Sequence, residues 1–202
     1  MTEIERDILI LISRIRCITE TQFGKIFGTR KRYGRKLFKK TLRKMCNEYI
    51  LKKYPCDINY SRFKENSYVY YLNGSQEYQD KELAKAIIES EIAIKIDLLG
   101  YKLNRFYRNI KIDNNKYDLF IEYTNQYDES IQIIVDIYLD DEIDISKYKN
   151  IKYKFEKSTI PFYKEPKILI VSLSNIEKLF TEEIDSNIKF TDLKLNNLSK
   201  YL

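Results

Sequence analysis

The sequence predicts an α+β protein in two parts, a mainly helical part with a β-hairpin followed by an α/β part with a mixed sheet. Three observations predict this class. Apolar residues recur at helical spacing in the first fifty residues, short runs rich in Ile, Val and Tyr alternate with helical patterns from residue 81, and charge is unevenly divided. Residues 1–79 hold 17 basic and 8 acidic residues, net +9, whereas residues 80–202 hold 19 and 22, net −3. We therefore predict domains at 1–74 and 80–202, separated near the turn-like Asn73-Gly74-Ser75.

Composition excludes several classes of protein. The chain has no histidine, so Ser-His and Cys-His hydrolases are excluded, and a classical zinc site is not expected. Its five glycines are scattered and form no phosphate-binding loop. No apolar run reaches the roughly 18 residues of a membrane span, the first residues resemble no signal peptide, and three cysteines without metal-ligand spacing fit a reducing compartment. We expect a cytoplasmic protein with no membrane partner.

The first part begins with three predicted helices. Helix one runs from Ile4 to Arg16, with an apolar face that recurs every three or four residues. Thr19 and Gln22 form a capping box at the start of helix two, which ends at Gly28. Helix three runs from Arg35 to Tyr49, and its buried stripe is predicted to be Phe38, Leu42, Met45 and Tyr49.

Two short strands follow, at Ile50–Tyr54 and Tyr68–Leu72, joined by a polar loop over Asp57–Ser67. Three helices followed by a hairpin are typical of a winged helix-turn-helix domain. In that arrangement the third helix enters the major groove of DNA and the hairpin, or wing, touches the phosphate backbone.

The most informative feature is a basic stretch around helix three. Between Thr21 and Asn47 there are ten basic residues and no acidic one. A helix with one apolar face and one basic face suits the phosphates of double-stranded DNA, although a merely solvated basic face is the alternative. The predicted DNA-binding residues are Arg30, Lys31, Arg32, Tyr33, Arg35, Lys36, Lys39, Lys40, Arg43 and Lys44, together with Arg62 and Lys64 in the wing.

The second part alternates helices and strands in the order α-β-β-β-α-β. The pattern predicts a helix over 81–98, strands over 105–112, 116–124 and 130–138, a helix over 146–157 and a strand over 167–173. Ser174 is predicted to cap a further helix to Glu183, followed by a short strand over 188–193.

Several blocks of the chain together resemble the replication-relaxation family of plasmid and mobile-element proteins. They are Ile4–Ile12, Thr19–Phe23, the basic helix, Ser67–Leu72, Tyr117-Asp118, Val135-Asp136 and Lys167–Ser172, within residues 3 to 180. The resemblance implies a winged-helix domain fused to a domain similar to the restriction-endonuclease core. It also implies DNA binding in plasmid replication or conjugative transfer, beside a relaxase.

Active members of the endonuclease-like fold carry a helix acid, an Asp at a strand, and (Asp/Glu)-x-Lys on the next strand, which hold Mg²⁺ and activate water. By resemblance, Glu89 or Glu91 is the helix acid, and Asp118 and Asp136 are the strand acids. The lysine position holds Tyr138, a neutral phenol, so a non-catalytic domain is the favoured interpretation. Substitution by a lysine of the next helix, Lys149, Lys152 or Lys154, remains an alternative.

The leading hypothesis is a non-enzymatic double-stranded DNA-binding protein of a plasmid or mobile element, which acts in replication or conjugative DNA processing as a relaxase accessory. Its second part would form a homodimer or bind a relaxase or replication protein. No cofactor or metal is expected. One alternative is a nuclease that holds Mg²⁺ through Asp118 and Asp136, with Glu91 as a third acid. Another is a dimeric winged-helix transcriptional repressor.

Overall fold

The computed structural model of the chain describes residues 1–28, 35–60, 63–140, 143–173 and 187–202. Within them the protein is a mixed α+β structure with two sheets and five α-helices, which confirms the predicted class. The helices are α1 (Glu3–Ile15), α2 (Glu20–Phe27), α3 (Arg35–Asn47), α4 (Asp80–Leu98) and α5 (Ile151–Glu156). The strands are β1 (Cys17–Thr19), β2 (Leu51–Tyr60), β3 (Phe63–Leu72), β4 (Lys102–Ile112), β5 (Asn115–Thr124), β6 (Ser130–Tyr138), β7 (Lys167–Ser172) and β8 (Ile188–Asp192). In this part of the chain, no helix combines the length and the apolar character needed to span a bilayer.

The chain divides into two compact units, Met1–Ile94 and Lys95–Leu202, and the division falls within α4 rather than near residue 74. The first turns of α4 are bonded to the first unit. Gln22 Nε2 donates to the Ile87 carbonyl at 2.8 Å, and Ser90 Oγ donates to the Cys17 carbonyl at 2.6 Å. The apolar pattern of this helix does not reveal which part of the chain it packs against.

The helices α1 and α2 begin and end within one residue of the predicted positions, because their ends are encoded locally. The predicted capping box of α2 is present, with Gln22 N–H donating to Thr19 Oγ1 at 3.2 Å and Thr19 N–H donating to Gln22 Oε1 at 3.1 Å. The helix α3 ends two residues earlier than predicted. Tyr49 has a left-handed backbone (φ 57°) and a side chain that is 81% exposed, so its assignment to the buried stripe was wrong.

The predicted loop over Asp57–Ser67 is wrong in large part, because β2 and β3 form one long hairpin. The two strands pair from Leu51 opposite Leu72 to Tyr60 opposite Phe63. Along β2, Cys56 and Ile58 are buried between exposed neighbours, which gives this polar segment one apolar side. The strand β1 pairs with β3 on its other edge, so the sheet order is β1-β3-β2.

The second unit contains a five-stranded mixed sheet with the order β4-β5-β6-β7-β8. The first three strands are antiparallel, and β6, β7 and β8 are parallel to one another. One cluster of buried residues joins this sheet to α5 and to the turn before it. Its members are Ile110, Ile112, Tyr117, Phe120, Ile134, Tyr148, Ile151, Phe155, Ile168, Ile170 and Ile188.

The helix predicted over 146–157 is divided in the structure. A 3-10 helix at Ile145–Tyr148 precedes α5, and between them Asn150 has a left-handed backbone (φ 54°) that a continuous α-helix does not permit. The helix predicted from Ser174 to Glu183 lies outside the described residues. The predicted strand β4 begins three residues earlier than expected, at Lys102.

Candidate nucleic-acid interface

The helix α3 presents two opposite faces. Phe38, Leu42 and Met45 are buried, as the sequence predicted. The exposed side of the helix carries the predicted cations whose side chains are described, namely Lys36, Lys39, Lys40, Arg43 and Lys44. The spacing of apolar residues therefore fixes which cations face outward.

Two of these five cations are engaged in ion pairs within the first unit. Lys39 Nζ lies 2.5 Å from Glu20 Oε1, and Lys44 Nζ lies 2.7 Å from Glu5 Oε1. The hydrogen bond from Lys44 lowers the pKa of Glu5 to about 2, and the hydrogen bond from Lys39 likewise lowers the pKa of Glu20. Lys39 and Lys44 thus tie α3 to the start of α2 and α1, which the sequence did not predict.

The other three cations form a row along α3. Lys36, Lys40 and Arg43 lie at positions i, i+4 and i+7, all exposed, and no acid among the described residues pairs with them. We call these three residues the α3 cation row. Three uncompensated charges on one stripe of a rigid helix give a positive surface about 10 Å long, since each helical residue advances about 1.5 Å.

Some of the predicted DNA-binding residues fall outside the described part of the chain. These are Arg30, Lys31, Arg32, Tyr33 and Arg62, and of Arg35 only the backbone position at the start of α3 is described. Lys64 is exposed on β3, opposite Asn59. The same hairpin also carries Glu65, whose carboxylate accepts hydrogen bonds from the hydroxyls of Thr21 (2.8 Å) and Ser67 (2.6 Å).

The two strand acids of the nuclease hypothesis lie on neighbouring strands. Leu119 on β5 pairs with Val135 on β6; Asp118 directly precedes Leu119, and Asp136 directly follows Val135. Asp118 Oδ2 accepts the Ile137 N–H at 2.6 Å. Burial raises the pKa of Asp136, Lys147 opposes that rise, and the carboxylate of Asp118 adds to it.

A buried ion pair engages Asp136. Its Oδ2 accepts hydrogen bonds from Lys147 Nζ, from the Tyr148 hydroxyl at 2.6 Å and from the Tyr138 hydroxyl at 3.1 Å. The Lys147 ammonium also lies 4.3 Å from the centre of the Tyr117 ring. Burial raises the pKa of both Tyr138 and Tyr148, so both phenols are neutral donors at physiological pH.

The lysine that pairs with Asp136 is Lys147, which the sequence did not predict for this role. The sequence offers Lys149, Lys152 and Lys154 for this role, whereas in the structure Lys154 donates to the Lys147 carbonyl at 2.9 Å and Lys152 pairs with Glu165 at 3.4 Å. Lys147 lies on the 3-10 helix, a segment that the sequence assigned to a regular α-helix. The only signal in the sequence for this segment is the set of apolar residues next to Lys147, such as Tyr148 and Ile151, which pack against the sheet.

These side chains do not match a magnesium site. A single oxygen of Asp136 already receives three donors, and the proposed helix acid, Glu91, accepts hydrogen bonds from Lys25 (2.6 Å) and Gln22 (3.2 Å) in the first unit. Across the described ranges, no group of three or more Asp, Glu or Cys side chains is placed to hold a metal ion. Magnesium requires near-octahedral oxygen coordination, whereas Asp136 is paired with an ammonium and accepts hydrogen bonds from two phenols.

Comparison with known proteins adds little to this geometry. No family model matches the chain, and no curated protein matches it. Among solved structures, a repair endonuclease from Pyrococcus abyssi is similar, with 13% identity and a TM-score of 0.34 over 63% of this chain and 53% of that chain. The chain thus matches about half the length of that endonuclease, and a likeness at this level carries no argument about fold or function.

Proposed function

We propose that the protein binds double-stranded DNA without enzymatic activity, through α3 and the hairpin of a winged-helix first unit. The observation that carries the proposal is the α3 cation row, Lys36, Lys40 and Arg43, which is exposed, regularly spaced and without an acidic partner among the described residues. Cations on one helix stripe match the regular spacing of phosphates along a groove, and their counterion release would supply most of the affinity.

The order of elements in the first unit supports this proposal. Three helices precede the β2–β3 hairpin, and the short strand β1, between α1 and α2, is the third strand of the same sheet. The hairpin is ten residues long on each side, long enough for its tip to serve as a wing. In this arrangement α3 would lie in the major groove, with Lys64 beside the phosphate backbone.

The ion pairs of α3 assign different roles to its lysines. Lys39 and Lys44 are already bound to Glu20 and Glu5, so these two residues would mainly hold the helix in place. The α3 cation row forms no such ion pair among the described residues and would contact DNA directly. A variant that replaces Lys39 would therefore mix a structural effect with a binding effect, whereas substitution of the row tests binding alone.

The decisive comparison uses two triple variants that each remove three exposed cations. In the test variant, Lys36, Lys40 and Arg43 are replaced by alanine. In the control, Lys116, Lys194 and Lys200, which are exposed in the second unit, are replaced instead. We expect the Kd for duplex DNA to rise about tenfold or more in the test variant and to change little in the control. The net charge falls equally in both variants, so a difference between them reports the position of the cations. Equal losses in both variants would contradict the proposed docking surface.

The role in plasmid replication or conjugative transfer, beside a relaxase or replication protein, remains part of the proposal and rests on the sequence resemblance alone. The second unit would then form the homodimer or bind the partner protein. A footprint on two half-sites in the promoter of the protein's own operon would instead favour the repressor hypothesis.

One observation favours a metal-dependent nuclease as the second candidate. Lys147 brings an ammonium to Asp136, which supplies the cation that Tyr138 lacks at the lysine position. Against it stand the three donors on one oxygen of Asp136 and the pairing of Glu91 with Lys25. We expect supercoiled, linear and single-stranded DNA to stay intact with Mg²⁺ or Mn²⁺. Cleavage that Asp118→Asn abolishes would establish the nuclease.

A further inference from the structure

We infer that the second unit carries its own binding site for single-stranded nucleic acid, formed by Tyr107, Arg105 and Tyr163 beside the β4 edge of the five-stranded sheet. This inference is independent of the duplex-binding surface proposed on α3. It rests on the local charge, on a buried clamp that holds Tyr163 in place, and on two tyrosine rings that lie open to solvent.

The charge of the second half is strongly segregated. Residues 102–112 hold four basic residues and no acid, and residues 145–167 hold seven basic and two acidic residues, so the two segments together carry +9. The remainder of 80–202 holds 8 basic and 20 acidic residues, net −12. The overall value of −3 therefore conceals an excess of basic residues in β4 and in the segment around α5, and such an excess suits a polyanion. Of these basic residues, Arg105, Lys147 and Lys152 pair with acids.

A buried amide fixes the backbone that presents Tyr163. Gln132 Nε2 donates to Glu122 Oε2 at 2.9 Å and to the Pro161 carbonyl at 3.1 Å, while Gln132 Oε1 accepts the Tyr163 N–H at 3.1 Å. Gln132 and Glu122 are both buried. The amide of Gln132 thus clamps residues 161–163 onto the sheet, and a fixed backbone lowers the entropy cost of binding a ligand there.

Arg105 links the clamp to the exposed rings. Its guanidinium lies 3.6 Å from Glu122 Oε2 and 3.5 Å from the Tyr163 hydroxyl. Tyr107 is two residues further along β4, and its ring stacks on Phe120 with a centroid distance of 6.2 Å and an angle of 11°. Arg105 therefore contacts Glu122 and the Tyr163 hydroxyl on the same side of β4 as Tyr107, because residues two apart on a strand face the same side.

Both tyrosines leave most of their surface open. Tyr163 is 64% exposed and Tyr107 is 54% exposed, although Phe120, the partner of Tyr107, is fully buried. Beside Tyr163, a groove of about 520 Å³ runs along α5, and its lining includes Lys152, Lys164, Glu156, Glu165 and Phe162. The groove offers space for a nucleotide beside the Lys164 ammonium, whereas the Lys152 ammonium pairs with Glu165 at 3.4 Å.

This combination is the chemistry of single-strand recognition. Unpaired bases stack on exposed aromatic rings, while cations between the rings follow the phosphates, and neither contact requires a particular sequence. Bases within a duplex are already stacked on one another and cannot cover the open ring faces. We therefore commit to a single strand as the ligand, and binding by duplex DNA or by a protein is an outcome that would contradict the inference.

The absence of tryptophan from the chain permits a direct test. Tyr163→Trp would introduce the only tryptophan, at the proposed stacking position. Oligothymidine of about 20 nucleotides exceeds the roughly 4 to 16 nucleotides that a single-strand-binding module covers. We expect this oligonucleotide to quench the tryptophan fluorescence saturably. The matched control is Tyr127→Trp in the β5–β6 turn, where the native side chain is 75% exposed and quenching should not occur.

Affinity measurements on three further variants complete the test. We expect Tyr107→Ala with Tyr163→Ala to weaken oligothymidine binding at least about tenfold, and Tyr107→Phe with Tyr163→Phe to retain it, because stacking needs the ring and not the hydroxyl. The triple alanine variant of the α3 cation row should bind oligothymidine as the native chain does. Thermal unfolding of each variant reports whether it is folded.

Three results with oligothymidine would overturn the inference. They are an unquenched Tyr163→Trp variant in the presence of bound oligothymidine, a folded double-alanine variant with native affinity, and a loss of oligothymidine binding in the α3 variant alone. The last result would place single strands on α3 and would leave the duplex-binding proposal standing. A loss of duplex affinity as large as the loss of single-strand affinity in the tyrosine variants would also contradict it.

Discussion

The carboxylate of Asp136 depends on Lys147 at the scale of single residues. Both side chains are largely buried, and removing the ammonium would leave a charge with only two phenol donors. Loss of one partner from a buried ion pair costs about 3 to 5 kcal/mol, and the remaining phenols favour the lower end of that range. We predict that Lys147→Ala lowers the free energy of unfolding by about 3 kcal/mol, measured by urea denaturation.

The control for this prediction is Lys149→Ala, two residues away on the exposed side of the same turn. An exposed lysine without a partner in the described residues should change stability by less than about 0.5 kcal/mol. Equal stability of the Lys147 and Lys149 variants would show that Asp136 does not need its ammonium.

The pair of Glu5 and Lys44 predicts a pH dependence. The pKa of Glu5 falls from 4.5 to about 2 on folding, so the folded state prefers the ionised carboxylate. This stabilisation is fully present above about pH 4.5 and is lost as the pH falls toward 2. In Glu5→Gln, the midpoint of thermal unfolding should be lower at neutral pH and should decline less between pH 4.5 and pH 2. Parallel curves for the native chain and the variant would contradict the assigned pKa.

At the scale of elements, the β2–β3 hairpin contributes one described cation near its tip to the proposed interface, namely Lys64. Lys64 and Asn59 are exposed partners across the two strands. Because a single phosphate contact changes the salt dependence by roughly one unit, Lys64→Ala should reduce the slope of log K against log salt by about 1, uniformly across DNA sequences. Asn59→Ala, at the same height of the hairpin, should leave the slope unchanged, and a wing remote from DNA would make the two variants indistinguishable.

Elements with locally encoded ends could be predicted from the sequence, and the others could not. The capping box at Thr19 and the apolar repeat of α1 fixed their helices to within one residue. The long hairpin was missed, since its polar middle is stabilised by pairing between its own two strands, from Asp57 opposite Asn66 to Tyr60 opposite Phe63, and carries little apolar pattern. The break at Asn150 was missed as well, because the apolar residues Tyr148, Ile151 and Phe155 keep the spacing of one continuous helix across it.

The candidate sites show the same limit at the scale of the whole molecule. The basic stretch of α3 was visible because its residues are contiguous, but its ion pairs with Glu5 and Glu20 depend on packing between helices. The Tyr107 and Tyr163 surface joins residues 56 positions apart and was not predicted, although the separate charges were countable. Summing charge over half a chain hid the contrast between β4 with residues 145–167 and the remaining acidic segments.

The salt dependence of duplex binding tests the central claim most directly. The Kd of the native chain, the alanine variant of the α3 cation row and the Lys116, Lys194 and Lys200 control would be measured on one duplex over a range of salt concentrations. The α3 account predicts that the slope of log K against log salt becomes shallower by about 2 to 3 in the row variant and stays native in the control. Identical slopes for all three proteins would contradict the assignment of α3 as the DNA-binding helix.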